Sequence, residues 1–384
     1  MIRFIHTADW HIRDTQYGRG FRGDDFRRSA RQILDYAVDY KVDFIVNGGD
    51  TLDRNRPSGD MLDFLFEVDT RLKAAGIPMY TVTGNHDDSE PSFLTFPGYD
   101  RKDAAGGVVC IDHQVVEHAG VRIAGFPACP WGEVEEKVSK MKTPPDILVW
   151  HGAVMEYMPF GCELSLERVW ETRFKAALLG DLHIHESCRG GAEEERILAY
   201  PGSIEMAKRN EGAEKFFDVY ELQDDWRSRS FPNPIAVPLE TRPVLFLRAD
   251  SEERASDCVA KVRALADLAP EKIPMIFMSY NWEYQDVVSR VMSSIDRTKT
   301  IFRWKGLSAT FGGMVYESEE RAQGMEAVRP KLMEVVSKVM PPNSNLHKLT
   351  KLLADPETNA RSVLMEYVDG RLNEGDQTTA TATK

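Results

Sequence analysis

Thiols are scarce and poorly placed in this 384-residue chain: five cysteines, Cys110, Cys129, Cys162, Cys188 and Cys258, with no CxxC pair. An odd number at irregular spacing excludes a disulfide framework and a thiolate zinc knuckle, and points to a reducing, cytoplasmic compartment. No apolar run reaches the roughly 18 residues that a membrane helix needs. Residues 1–11 lack the charged segment, apolar stretch and small-residue cleavage site of a secretory leader, so none is expected. A basic balance is missing too. With 48 basic and 61 acidic side chains the formal net charge is −13, so any nucleic-acid contact must use local patches or metal ions. Repeats are absent, and an apolar fraction of 42% supports buried cores rather than disorder. The length suits one large domain plus a smaller one.

The first ~220 residues alternate β-rich runs with amphipathic stretches. Residues 2–8, 42–47 and 77–83 read as strands. Between them Phe26, Ala30, Ile33, Leu34 and Ala37, then Leu62, Leu65, Val68 and Leu72, repeat at helical spacing. From residue 107 the texture changes to short strands (107–112, 121–126, 146–150, 176–179, 197–200, 216–222) with few helices. A second sheet packed on the first follows, giving an α/β fold of layered α/β/β/α type over 1–235. A proline-rich stretch around Pro232, Pro234, Pro238 and Pro243 reads as a connection. A smaller α/β module is expected at 240–317, with strands near 244–248, 273–279 and 300–304. Apolar stripes (Val328, Leu332, Val335, Val336, Val339; Leu346, Leu349, Leu352, Leu353) then predict C-terminal helices over 318–372. Residues 373–384 read as a disordered tail.

Five segments carry the chemistry: Asp9-Trp10-His11, Gly48-Gly49-Asp50, Gly84-Asn85-His86-Asp87, Trp150-His151-Gly152 and Gly180-Asp181-Leu182-His183-Ile184-His185. Each follows a predicted strand, at the sheet edge where α/β proteins bind ligands. Taken alone, each has a bland reading: a helix cap, a β-turn, a core histidine. Of the nine histidines, five fall in these segments, and that concentration makes coincidence a poor account. The residue types, Asp9, His11, Asp50, Asn85, His151, His183 and His185, are those of a metal site. Oxygen and imidazole donors without thiolate suit manganese, iron or zinc. Seven ligands exceed one tetrahedral ion but divide between two ions about 3.5–4 Å apart, with Asp50 as the bridging carboxylate. Coordination can bring the pKa of water from 15.7 to about 7, on the order of 12 kcal/mol, whereas one positioned acid contributes roughly 3–5 kcal/mol.

In these segments the chain resembles the calcineurin-like metallophosphoesterases, whose pattern runs DxH, GD, GNH(D/E), H and G(D/H)xHxH. The resemblance implies a first ion held by Asp9, His11, Asp50 and His185, and a second by Asp50, Asn85, His151 and His183. It also implies His86 as a catalytic acid that is not a ligand. Two divalent ions are implied, Mn2+ first, with Mg2+, Fe2+ and Zn2+ as alternatives.

Within that superfamily the opening MIRFIHTADWHI, the run GDTLDRNRPS, the segment Tyr200-Pro201-Gly202-Ser203 and Glu240-Thr241-Arg242-Pro243 resemble the SbcD-type DNA repair nucleases. That likeness implies a manganese-dependent deoxyribonuclease, exo- or endonucleolytic, whose 240–317 module contacts DNA. Its terminal helices would dock an SbcC-type, SMC-like ATPase, the chain would form a homodimer in a bacterial or phage-infected cytoplasm, and no membrane would be involved. One departure stands out: many members carry histidine three residues after the bridging aspartate, where this chain has Asp53. Two other readings stay open, a phosphoprotein or small-molecule phosphoesterase and a non-catalytic DNA-binding scaffold of the ATPase. Against a protein phosphatase, His11 is not followed by glycine, Asn55 stands where glycine would follow the arginine, and Asp87 replaces glutamate. Arg13, Arg19, Arg22, Arg27, Arg28 and Arg31 cluster after the first segment, as phosphate contacts at the rim of the site or as a solvated face.

Overall fold

The computed structural model describes residues 1–88, 106–158, 164–191, 194–209, 211–265, 268–296 and 298–306. The expected C-terminal helices, the tail and the end of the second module lie outside the described residues, as does Cys162. In chain order the elements are β1 (Ile2–Thr7), α1 (Phe21–Asp39), β2 (Phe44–Asn47), α2 (Gly59–Ala75), β3 (Pro78–Thr81) and β4 (Gly107–Cys110). There follow β5 (Val115–His118), β6 (Val121–Phe126), α3 (Trp131–Ser139), β7 (Ile147–His151), α4 (Leu166–Glu171), β8 (Ala176–Gly180), β9 (Glu186–Gly190), β10 (Arg196–Tyr200) and β11 (Phe216–Leu222). Last come β12 (Ile235–Pro238), β13 (Val244–Ala249), α5 (Glu252–Arg263), β14 (Met275–Tyr280), α6 (Gln285–Ser293) and β15 (Phe302–Gly306).

Two six-stranded sheets form the body, in the orders β12-β11-β1-β2-β3-β4 and β5-β6-β7-β8-β10-β9. Strands β1 to β4 run parallel, as do β6, β7, β8 and β10. Period-two alternation sorts the side chains into layers. On the first sheet Ile5, Ile45, Met79, Val108 and Val219 pack with the buried stripes of α1 and α2. Their neighbours Phe4, Phe44, Tyr80, Val109 and Tyr220 meet Ile123, Ile147, Val149, Leu178 and Ile197 of the second sheet. Phe4 stacks on Phe44 and Tyr220 at centroid distances of 4.7 and 5.0 Å. The second sheet turns Ala124, Leu148, Trp150, Ala177 and Leu198 outward onto α3 and α4. The layered α/β/β/α fold follows directly from that sorting.

Helix α2 shows how the local signals act. Ser58 caps it by accepting the Met61 N–H at 3.3 Å, and Gly76 ends it at φ 69°. The strands β5, β9 and β12 carry no clear periodic signal because they are short, half-exposed edges. Helices α3 and α4, which the sequence reading passed over, are short at 9 and 6 residues.

A three-stranded sheet, β13-β14-β15, lies beyond the proline-rich stretch. The chain divides into two compact units. Among the described residues, one holds those of 1–246 with 261–277 and 294–303; the other holds 247–260, 278–293 and 304–306. Within the first, the Arg242 guanidinium donates to Asp25 at 2.5 and 3.0 Å and to the carbonyls of Pro270 and Ile273 at 2.8 Å each. Asp25 also holds the fully buried Arg22.

His6 on β1 faces its cross-strand neighbour Asp218 but stays 3.9 Å from the carboxylate, too far for a hydrogen bond. Burial lowers its pKa to about 3. The unfolded chain therefore binds a proton at this ring below about pH 6.5, and the folded chain does so only near pH 3. The neutral ring's contribution is complete above pH 6.5 and is lost as pH falls toward 3. Between pH 7.5 and 5 the protein should lose about 2 kcal/mol more stability than its His6→Leu variant, read from denaturant melts at both pH values. Parallel losses would reject this.

Candidate metal centre

The carboxyl ends of both parallel strand sets meet at one edge. Gly48 follows β2 and Gly180 ends β8, and a Cβ on Gly180 would lie 2.3 Å from the Gly48 carbonyl oxygen. Only backbone against backbone permits that approach. It brings the loops after β1, β2 and β3 against those after β7 and β8. Asp9, His11, Asp50 and Asp181 adopt left-handed backbone, with φ of 51°, 43°, 50° and 88°, a conformation costly for such residues and characteristic of functional loops. Backbone bonds fix it. The Asp9 N–H donates to the Gly49 carbonyl at 3.0 Å, and the His11 N–H to that of Asp50 at 2.9 Å. The Asp181 N–H donates to both Asp9 carboxylate oxygens, at 3.1 and 3.2 Å.

Acceptors outside the cluster aim the imidazoles. The Nδ1 of His151 lies 2.8 Å from the Gly48 carbonyl oxygen, which can only accept, so Nδ1 carries the proton. Its Nε2 then presents a lone pair to Asn85 Oδ1 at 2.8 Å, Asp50 Oδ2 at 3.5 Å and Asp181 Oδ1 at 3.9 Å. His183 is oriented likewise, its Nδ1 donating to Glu211, and its Nε2 lies 2.9 Å from His11 Nε2. Imidazole nitrogens and carboxylate and amide oxygens gathered at such distances fit a divalent cation between them. Two groupings, Asp9 with His11 and His183 and Asp9 with Asp50 and His151, bring one ligand atom from each residue within 4.8 Å of one another.

The electrostatics agree. Asp9 is fully buried, and burial, then the charges of Asp50 and Asp181, push its pKa well above the carboxylate range. Burial, with His183 and Arg13 adding to it, drives that of His11 well below the imidazole range. Burial and the charge of Asp50 lift Asp87 to about 8. Its carboxyl group ties the second segment to the third by accepting the N–H groups of Thr51 at 2.9 Å, Leu52 at 2.6 Å and Gly84 at 3.3 Å. A site this acidic and dry calls for positive charge.

The fold thus brings together Asp9, His11, Asp50, Asn85, His151 and His183. His86 sits beside them, its N–H on Asp50 Oδ1 at 2.9 Å and its Nδ1 on the Asp53 carbonyl at 2.8 Å. His185 does not join them, and the expectation that it holds the first ion is corrected. Its Nε2 bonds Asp218 Oδ1 at 2.8 Å, an interaction that raises its pKa, and His183 is the imidazole that meets His11. Sequence reasoning also missed Asp181, which reads as a turn residue after glycine, and Glu211. Burial alone would raise the Glu211 pKa, but the hydrogen bond from His183, the charge of Lys215 and the Ala207 N–H outweigh it and hold the group at about 2.

Residues 2–185 match the family model described as calcineurin-like phosphoesterase. The chain is 28% identical over 301 residues to the DNA double-strand break repair protein Mre11 of Methanosarcina mazei, covering 75% of this chain and 46% of that one. It is 25% identical over 279 residues to the protein of the same name from Archaeoglobus fulgidus, covering 65% and 62%. The chain therefore spans between about half and three-fifths of these relatives. A dimetal phosphatase from Danio rerio aligns in structure with a TM-score of 0.41 and 13% identity, over 62% of this chain and 96% of that one.

A carboxylate on the far nitrogen of a ligating histidine fixes its tautomer and strengthens it as a donor. Glu211→Gln should weaken binding of Mn2+, titrated calorimetrically, by about 10- to 100-fold. Unchanged affinity would show that Glu211 only braces the loop.

Proposed function

Because residues 2–185 are a calcineurin-like metallophosphoesterase domain, we propose that this chain is a metal-dependent DNA nuclease acting in DNA end processing, recombination and repair. One observation carries the reading: the proton-free Nε2 atoms of His151 and His183 point into a buried group of carboxylates. Relatives named for double-strand break repair favour DNA as the substrate.

The ligand division that the distances support differs from the sequence expectation. One position takes Asp9, His11, Asp50 and His183; the other takes Asp50, Asn85, His151 and Asp181, with Asp50 shared. The donors, oxygen and imidazole only, favour Mn2+, with Mg2+, Fe2+ and Zn2+ as alternatives. When bound, such a pair supplies Lewis acidity and brings the pKa of water to about 7.

The chain's own groups do the rest. Asp9 and Asp50 would hold the cations, Asp9 giving up the proton that its burial favours. With its Nδ1 donating to the Asp53 carbonyl, His86 keeps Nε2 free to carry a proton to the departing oxygen, or to stabilise its charge.

We extend the reading to the whole chain. Residues 1–235 form the nuclease domain, 240–317 a DNA-contacting capping domain, and 318–372 helices that dock an SbcC-type, SMC-like ATPase, ahead of a tail at 373–384. The nuclease works as a homodimer in the cytoplasm of a bacterium or of a phage-infected cell. Among the described residues no helix is long and apolar enough to cross a membrane.

The deciding assay offers purified full-length chain with Mn2+ three substrates, end-labelled duplex DNA, a phosphopeptide and a cyclic nucleotide, with and without the ATPase and ATP. Cleavage of the duplex is expected; turnover of only the other two would end the nuclease reading. Asp50→Ala should lose both bound metal, by elemental analysis, and activity. His86→Ala should keep the metal and lose about 10²- to 10⁴-fold in turnover; full activity in that variant would remove its role.

A further inference from the structure

The six arginines clustered at 13–31 have different fates. Arg22 is fully buried and bonded to Asp25, Gln16 and Glu205. Arg27 pairs with Asp14 and Asp24, Arg28 with Asp25, and Arg31 with Glu67. Arg13 reaches the metal-ligand cluster. Its Nε donates to the His11 carbonyl at 3.0 Å, its Nη2 forms an ion pair with Asp53 Oδ1 at 2.5 Å, and its guanidinium carbon lies 4.4 Å from the Phe26 ring centroid. Asp53 Oδ1 is itself 3.7 Å from His11 Nδ1.

The Arg13 side chain is 11% exposed, so its desolvation and ordering are already accomplished by the fold. A guanidinium has five N–H donors; here Nε is hydrogen-bonded and Nη2 is ion-paired. Nη1 has no hydrogen-bond partner among the described residues. The other buried cation at the cluster, Lys215, differs. Its three N–H groups are occupied by the His183 carbonyl at 3.2 Å, Ser203 Oγ at 2.8 Å and Glu211 Oε2 at 3.1 Å. An anion arriving at a centre built from Asp9, Asp50 and Asp181, with Asp53 and Asp87 beside it, meets carboxylates on most sides. Among the described residues Arg13 is a preorganised cation with donors to spare, and its planar fork matches the non-bridging oxygens of a phosphate.

We propose that Arg13 forms an anion subsite at the edge of the metal centre that takes a non-bridging oxygen of a phosphodiester, with Asp53 as the positioning residue that aims it. The departure from histidine at position 53 then has a physical account: the carboxylate there serves the guanidinium. This inference rests on the phosphoesterase reading above.

The test uses the full chain loaded with Mn2+ and measures binding of inorganic phosphate by calorimetry, with metal content and hydrolysis of bis(p-nitrophenyl) phosphate in parallel. Arg13→Gln should leave metal content unchanged and raise the phosphate Kd by about 10- to 100-fold, the loss of one charge-assisted hydrogen bond. KM for the diester should rise more than kcat falls. Arg13→Lys should restore part of the affinity, and Asp53→Asn should weaken phosphate binding less than Arg13→Gln does. Unchanged phosphate affinity in metal-loaded Arg13→Gln overturns the proposal. If Arg13→Gln loses the metal, Arg13→Met with full metal content decides, and wild-type phosphate affinity together with wild-type KM in it overturns the proposal equally. A wild-type chain that binds metal and phosphate but hydrolyses no diester removes the enzymatic reading while leaving the anion subsite standing.

Discussion

Everything at the centre depends on two sheets touching through bare backbone at Gly48 and Gly180. Sheets packed face to face normally stand about 10 Å apart, separated by two layers of side chains. Here the separation closes at one edge, because neither chain has a Cβ to place between Gly180 and the Gly48 carbonyl. Three loops of one sheet and two of the other thereby present their side chains to the same small volume. The inter-sheet core, with Phe4, Phe44 and Tyr220 stacked together, supplies the stability that such an edge needs. The left-handed residues at the edge cost on the order of 1–3 kcal/mol each, and burial of the large apolar faces offsets that cost.

The same closure creates an electrostatic demand. Asp9, Asp50 and Asp87 are withdrawn from water, and the pKa values of Asp9 and Asp87 rise accordingly. Lys215, the buried ammonium nearby, is held by Glu211 rather than by the ligand carboxylates. Buried carboxylates of this kind couple cation binding to folding, because whatever binds only the folded state stabilises it. The histidines are set for the same purpose. A carbonyl and a carboxylate fix which nitrogen of His151 and His183 carries hydrogen, so the lone pairs that face the carboxylates need no rearrangement.

Much of this was legible in the sequence, and for stated physical reasons. Strands buried on both faces read as short apolar runs, and a ligand after each strand end needs only the open-sheet rule to be gathered at one edge. What stayed hidden was decided by partners far along the chain. His183 and His185 are two apart, and spacing does not say which ring turns inward. Glu211, 28 residues beyond the first, and Asp218, 33 beyond the second, make that choice. Asp181 looks like a turn residue until Asp9 is seen accepting its N–H. The arginine cluster was ambiguous because burial separates its members. Arg22 disappears into an ion-pair network and Arg13 reaches the centre, although only eight residues lie between them. Edge strands such as β9, exposed along much of their length, left too little alternation to read.

Position 53 shows how backbone and side chain divide labour at such an edge. The Asp53 carbonyl accepts from His86 Nδ1, and that bond depends only on where the main chain runs. The main chain is held in turn by the Asp53 N–H on the Ile12 carbonyl, at 3.1 Å. The side chain, pointing to Arg13 and His11, is therefore free to vary without disturbing the tautomer of His86. One residue thus serves His86 and Arg13 through chemically independent groups, a backbone carbonyl and a side-chain carboxylate.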